Sequence, residues 1–139
     1  MVRINLLKPK QLADQHLIAE YNEILMLFGH VKKFPKINQM PKDYCLGKGH
    51  ITFFKNKLTY LKKRHELLKK EMKNRGYTTN KTINLENFDK ELRNDWKPKK
   101  CDFELIKQRI TEKIKKKPEY YRYYGEKKPA HYLIKLLKA

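Results

Sequence analysis

An all-α fold, one domain of three main helices, is predicted by three observations. Three long stretches carry apolar residues at three- and four-residue steps. No segment alternates at period two, so strands are not expected. Breakers separate the stretches: Pro35, Pro41, Gly47 and Gly49 follow the first, Gly76 ends the second and Pro118 ends the third. With 139 residues, the chain has the length of a single domain, 1–139.

The first helix is expected from about Pro9 to about Lys33. Pro9 suits an opening turn, where its missing N–H costs nothing, and Leu17, Tyr21, Ile24, Phe28 and Val31 make one buried stripe. Residues 34–49 read as loop. A second helix follows from about Phe53 to Arg75, with Phe54, Leu58, Leu61, His65, Leu68 and Met72 as its stripe and Gly76 as its C-terminal stop. Residues 85–92 have the length of one short extra helix, and 97–100 are turn-like. The third helix spans about Asp102 to Lys116, with Phe103, Ile106, Ile110 and Ile114 inward and Asp102 placed to cap its start.

Charge narrows the function. Lys and Arg number 34 against 15 Asp and Glu, a formal charge of +19. That excess goes far beyond solubility and implies a polyanionic partner, with nucleic acid ahead of an anionic membrane surface. Cys45 and Cys101 form no Cys-x-x-Cys pair, so neither a zinc knuckle nor a disulfide framework is indicated. The other histidines, His30, His50, His65 and His131, are scattered without ligand spacing. Of these, His50 is the candidate for a structural hydrogen bond. No apolar run reaches the length of a membrane span, and the start lacks a hydrophobic signal region. A cytoplasmic protein is expected, nucleoid-associated in a prokaryote.

The start of the chain offers chemistry. Val2 is small, so removal of Met1 is expected to free its α-amine. Such an amine has a pKa of about 7.7–8.0 against about 10.4 for lysine, so roughly a tenth is already unprotonated at neutral pH. It attacks an electrophilic carbon without the desolvation a catalytic lysine needs. His16, Glu20 and Glu23 fall at four- and three-residue steps along one side of the first helix. A carboxylate there would orient the amine, stabilise cationic sugar character and move protons; the plainer reading is a pair of solvated helix carboxylates and a partly buried histidine. On the third helix Arg109, Lys113 and Lys116 lie on one side, spaced to track phosphates. Beyond Pro118, Tyr120, Tyr121, Tyr123 and Tyr124 surround Arg122. These rings either pack onto the helices or form a base-stacking platform with Arg122 on a phosphate; a mixture of the two is expected.

The chain resembles the pyrimidine-dimer DNA glycosylases of the phage endonuclease V type. The likeness rests on Arg3-Ile4-Asn5-Leu6, Leu12-Ala13-Asp14-Gln15-His16-Leu17, Ala19-Glu20-Tyr21 with Glu23, and Phe28-Gly29. It continues through Leu46-Gly47, Gly49-His50, Thr52-Phe53-Phe54, Lys57-Leu58, Arg75-Gly76, and Tyr121 with Tyr123-Tyr124-Gly125. It is weakest across 78–100. The resemblance implies an N-terminal segment threaded between helices. It also implies a nucleophilic Val2 amine that attacks the sugar C1′, with Glu23 as the catalytic carboxylate. Base release leaves an imine, and β-elimination then cuts the strand. Arg3 and His16 stand where the family places helper groups, and Arg109 and Lys113 match its basic positions. Asn22 and Met26 occupy places where the well-known phage member has arginines beside the carboxylate, which Lys32 and Lys33 would partly replace. Residues 129–139 extend past the family's usual end, as an added helical turn or a partner contact.

The expected function is therefore a DNA repair glycosylase with abasic-site lyase activity, acting as a monomer on double-stranded DNA. Cyclobutane pyrimidine dimers are the expected lesion, and the chemistry needs no metal or cofactor. Expected DNA contacts are Arg3, His16, Asn22, Lys32, Lys33, Arg109, Lys113 and Arg122. The rivals are the same chemistry on another damaged base, and a non-catalytic basic nucleic-acid-binding protein.

Overall fold

The computed structural model describes residues 4–37 and 39–138. Five α-helices account for half of them: α1 (Asp14–Lys33), α2 (His50–Phe54), α3 (Leu58–Asn74), α4 (Lys100–Lys116) and α5 (Ala130–Leu137). Single 3-10 turns cover Pro9–Gln11 and Lys90–Leu92. The expected all-α class holds, and Leu17, Tyr21, Ile24, Phe28 and Val31 of α1 are buried as their spacing requires. The α3 stripe Leu58, Leu61, His65, Leu68 and Met72 is buried as well. α1 and α3 pack against each other along these stripes, and their contact is the centre of the core.

Boundaries depart from expectation where tertiary contacts intervene. The first helix begins at Asp14, because Leu12 and Ala13 adopt extended backbone after the Pro9–Gln11 turn. The second stretch divides into α2 and α3 at residues 55–57. Lys57 leaves helical geometry at φ −120° and ψ 41° and bridges to Arg93, while the Asn56 carbonyl accepts from the Asn94 N–H. Periodicity alone does not show that break, because Phe54 and Leu58 stay in phase. α3 ends as Gly76 predicts. At φ 88° its N–H donates to the Lys73 carbonyl, and the Tyr77 N–H donates to Met72, a Schellman closure. Asp102 does cap α4, but from inside its first turn: its carboxylate accepts the Lys99 N–H at 2.9 Å. Of the third stripe, Ile106, Ile110 and Ile114 are buried while Phe103 is only half-buried. In place of a helix over 85–92, only Lys90–Leu92 coils.

Contrary to the expectation of no strands, β1 (Arg122–Tyr123) pairs antiparallel with β2 (Glu126–Lys127). Two residues per strand are too few for alternation to register. The turn residues Tyr124 and Gly125 take φ 52° and 78°, the two positive values that a tight hairpin turn needs. Residues beyond Pro129 form the whole of α5. Leu133 and Leu137 are buried, and the Gln11 amide donates to the Leu136 and Leu137 carbonyls at 3.0 and 3.2 Å. No helix is long and apolar enough to cross a membrane among the described residues.

Candidate active site and nucleic-acid interface

Ile4, Asn5, Leu6 and Leu7 are all buried, although they belong to no helix or sheet. Buried main chain must find hydrogen-bond partners, and side chains supply them here. The Ile4 N–H donates to His50 Nε2 at 3.0 Å, and the Ile4 carbonyl accepts from the Tyr44 hydroxyl at 2.8 Å. The Leu7 carbonyl accepts from Arg64 Nη1. Between these anchors Leu6 adopts φ 61°, a left-handed backbone costly for a branched side chain. The threaded N-terminal segment is thus real from Ile4 onward; Val2 and Arg3 lie outside the described residues.

Arg64 links this segment to α1. Its Nε and Nη2 meet Glu20 Oε2 and Oε1 at 2.7 and 3.0 Å. Glu20 is 0% exposed, which corrects its reading as a solvated polar-face carboxylate. The apolar stripe is wider than its spacing suggested, and only the matching guanidinium across the α1–α3 interface makes that burial tolerable. Glu23, one turn further along α1, is half-buried. The sequence presented two candidate carboxylates, and the fold buries Glu20 in an ion pair while leaving Glu23 half-buried. Beside Glu23, Asn22 is exposed and Met26 is 68% exposed.

His16, at the start of α1, is half-buried against Tyr121, ring centroids 4.8 Å apart. Burial, together with the positive charge of Lys113, pushes its imidazole down to about 4. The ring is therefore neutral at physiological pH, and its Nδ1 has no hydrogen-bond partner among the described residues. Lys113 and Arg109 share a cleft of about 560 Å³ on α4 with Glu112, Lys115 and Lys116. Arg122 is exposed; its N–H donates to Gln15 Oε1 at 2.9 Å, and its guanidinium reaches the Gly125 carbonyl at 3.3 Å. His16, Lys113, Tyr121 and Arg122 thus gather where α1 begins, α4 ends and the hairpin starts. Lys32 and Lys33 do not join them. They are exposed at the other end of α1, about 24 Å along the helix from His16 at 1.5 Å per residue.

The tyrosines divide as expected. Tyr121 is buried and Tyr123 half-buried, while Tyr120 and Tyr124 are 56% and 46% exposed. Tyr123 and Tyr124 sit on the hairpin, which is fixed by Asp14 and Arg75, residues that the family likeness includes without a role. Asp14 accepts from the N–H groups of Tyr124 and Gly125 at 3.1 and 2.8 Å, and Arg75 Nη1 donates to Asp14 at 2.9 Å. The Arg75 guanidinium also lies 4.6 and 4.8 Å from the Tyr123 and Tyr124 ring centres. Arg75 also pairs with Glu71, one turn back on α3, at 2.8 Å, but its link to Asp14 and the grip of Asp14 on the hairpin join residues more than fifty positions apart.

The family model described as pyrimidine dimer DNA glycosylase matches residues 1–85. The chain belongs to that family. The match covers the threaded segment, α1, α2 and α3, hence the Ile4 anchors, both carboxylates and Arg64. This glycosylase is accordingly a DNA repair enzyme whose substrate is DNA. α4, the hairpin and α5 lie beyond the matched residues.

Proposed function

We propose that this DNA glycosylase excises cyclobutane pyrimidine dimers from duplex DNA through an imine on its own N-terminus, then cuts the strand as an abasic-site lyase. The observation that carries this reading is the anchored segment. Ile4 is held at both polar atoms, and Leu7 is tied through Arg64 to the turn of α1 that precedes Glu23.

In this reading Met1 is removed and the Val2 nitrogen, as free base, attacks C1′ of the damaged nucleotide. The glycosidic bond breaks, its electron pair leaves with the base, and the base takes up a proton. Nitrogen and C1′ stay bonded, and the nitrogen gives up a proton. The C1′–O4′ bond then opens with its electron pair and a proton going to O4′, and the nitrogen lone pair completes an iminium with C1′. Glu23 stabilises the positive charge that develops on the sugar and carries protons between nitrogen, base and C2′. Loss of a C2′ proton then expels the 3′ phosphate by β-elimination, and water releases the enzyme. The cluster of His16, Lys113, Arg109 and Arg122 contacts the backbone, with Arg3 nearer the sugar and Asn22, Lys32 and Lys33 along α1. Tyr120 and Tyr124 offer faces to unstacked bases. A flipped nucleotide is least costly to extrude where its base is damaged. The chain works as one domain, 1–139, and as a monomer.

A second reading keeps the chemistry and changes the lesion. It is favoured by the uncharged, exposed pair Asn22 and Met26 beside Glu23. Borohydride trapping on abasic duplex tests the mechanism, because reduction makes the imine a permanent protein–DNA adduct. A tryptic fragment carrying the DNA on Val2 is expected; a processed protein that forms no adduct overturns the proposal. Nicking of a panel of defined lesion duplexes separates the two substrates.

A further inference from the structure

We infer that His50 and Tyr44 are positioning residues for the nucleophilic amine: they clamp the main chain at Ile4 and so set where the Val2 nitrogen meets the sugar. The inference rests on the imine mechanism proposed above. From Ile4 to that nitrogen is two residues, at most about 7 Å of chain, so the position of Ile4 bounds where the nitrogen can lie.

The clamp has the features of a rigid device. His50 Nδ1 stands 2.6 Å from the Cys45 carbonyl. A carbonyl only accepts, so Nδ1 carries the proton and Nε2 presents a lone pair to the Ile4 N–H. The tautomer is thereby set by the loop that precedes α2. Tyr44 closes the other side through its hydroxyl, and the two rings meet edge to face with centroids 5.5 Å apart. Phe54 packs on both, and Phe53 and Trp96 pack on Tyr44. Gly49 lets His50 enter this corner: it takes φ 95°, and a Cβ there would stand 2.7 Å from Pro41 Cγ. Side chains filling a core need not grip main-chain polar atoms; here both polar atoms of one residue are gripped, on the segment that leads to the nucleophile. A misplacement of about 1 Å costs an enzyme on the order of a hundredfold in rate.

Single-turnover borohydride trapping on abasic duplex, at saturating DNA, tests the inference. In His50→Asn an amide nitrogen can still serve Cys45, but nothing reaches Ile4. In His50→Gln the longer side chain returns an acceptor near the place of Nε2. Tyr44→Phe removes one hydroxyl and keeps the ring. His50→Asn and Tyr44→Phe are expected to trap about tenfold or more slowly, with duplex Kd unchanged, and His50→Gln to recover most of the rate. Wild-type protein that yields no adduct would overturn the imine reading itself. Wild-type protein that traps, with both folded variants trapping equally fast, would overturn the clamp alone. Should His50→Asn not fold, Tyr44→Phe decides on the same criterion.

Discussion

Arg64 on α3 grips Glu20 on α1 at two points, 2.7 and 3.0 Å, with both side chains almost completely buried. The remaining guanidinium nitrogen holds the Leu7 carbonyl. One cation therefore joins two helices and the amino-terminal segment. Glu20→Gln leaves that cation buried without its counter-charge, a change that costs about 3–5 kcal/mol. Chemical denaturation is expected to show a loss of that size; a variant as stable as wild type would show that the pair is dispensable.

Glu23→Gln is the opposite case. The side chain is half-buried and its replacement nearly isosteric, so the melting temperature should fall far less than for Glu20→Gln. Duplex affinity should hold, while turnover drops by about a hundredfold or more. Measured together, the two variants separate stability from chemistry on neighbouring turns of one helix. Undiminished excision by Glu23→Gln would remove the residue from the mechanism.

The tyrosine hairpin depends on Asp14. Asp14→Ala strips the acceptor from the Tyr124 and Gly125 N–H groups and one carboxylate from Arg75. A loss of about 3 kcal/mol is expected, with amide exchange accelerating first at residues 122–125. Exchange at those amides no faster than in wild type would mean that the strand pair holds the hairpin unaided.

Arg109 and Lys113 flank the basic cleft on α4. Replacing both with Ala should weaken binding to damaged and undamaged duplex alike. The slope of log K against log salt should fall by about 0.9 for each phosphate that is no longer neutralised, or about 2 for the pair. A slope that does not change would place DNA on another face.

Acid should weaken the fold through two histidines. Burial, with Lys113 nearby, takes His16 down to about 4, and burial, with Lys69 nearby, takes His65 to about 4. An unfolded histidine titrates near 6.5, so between those values the unfolded chain binds protons that the native state refuses. Stability is full above about pH 6.5 and declines as pH falls toward 4, by up to about 1.4 kcal/mol per pH unit for each histidine. His65 is fully buried and stacked on Tyr21 at 4.6 Å, with neither ring nitrogen hydrogen-bonded among the described residues. His65→Leu should therefore flatten the decline by about half, read as denaturation midpoints across the range. An equally steep profile in that variant would exclude His65 as a source.

Helix periodicity, the Gly76 stop and the excess of lysine are local properties, so the all-α class, the three stripes and the anionic partner could be read directly from the residues. Spacing alone left the candidate acid as an alternative between Glu20 and Glu23, and only the family resemblance pointed to Glu23. Both fit the same face by spacing, and the burial of Glu20 comes from Arg64, forty-four residues along the chain. The break at 55–57, the hairpin and the grip of His50 and Tyr44 on Ile4 likewise depend on partners remote in sequence. Propensity and pattern report what a segment can do alone. Which carboxylate is buried, and where the chain's first residues are held, is decided by charges and hydrogen bonds that exist only once the helices have packed.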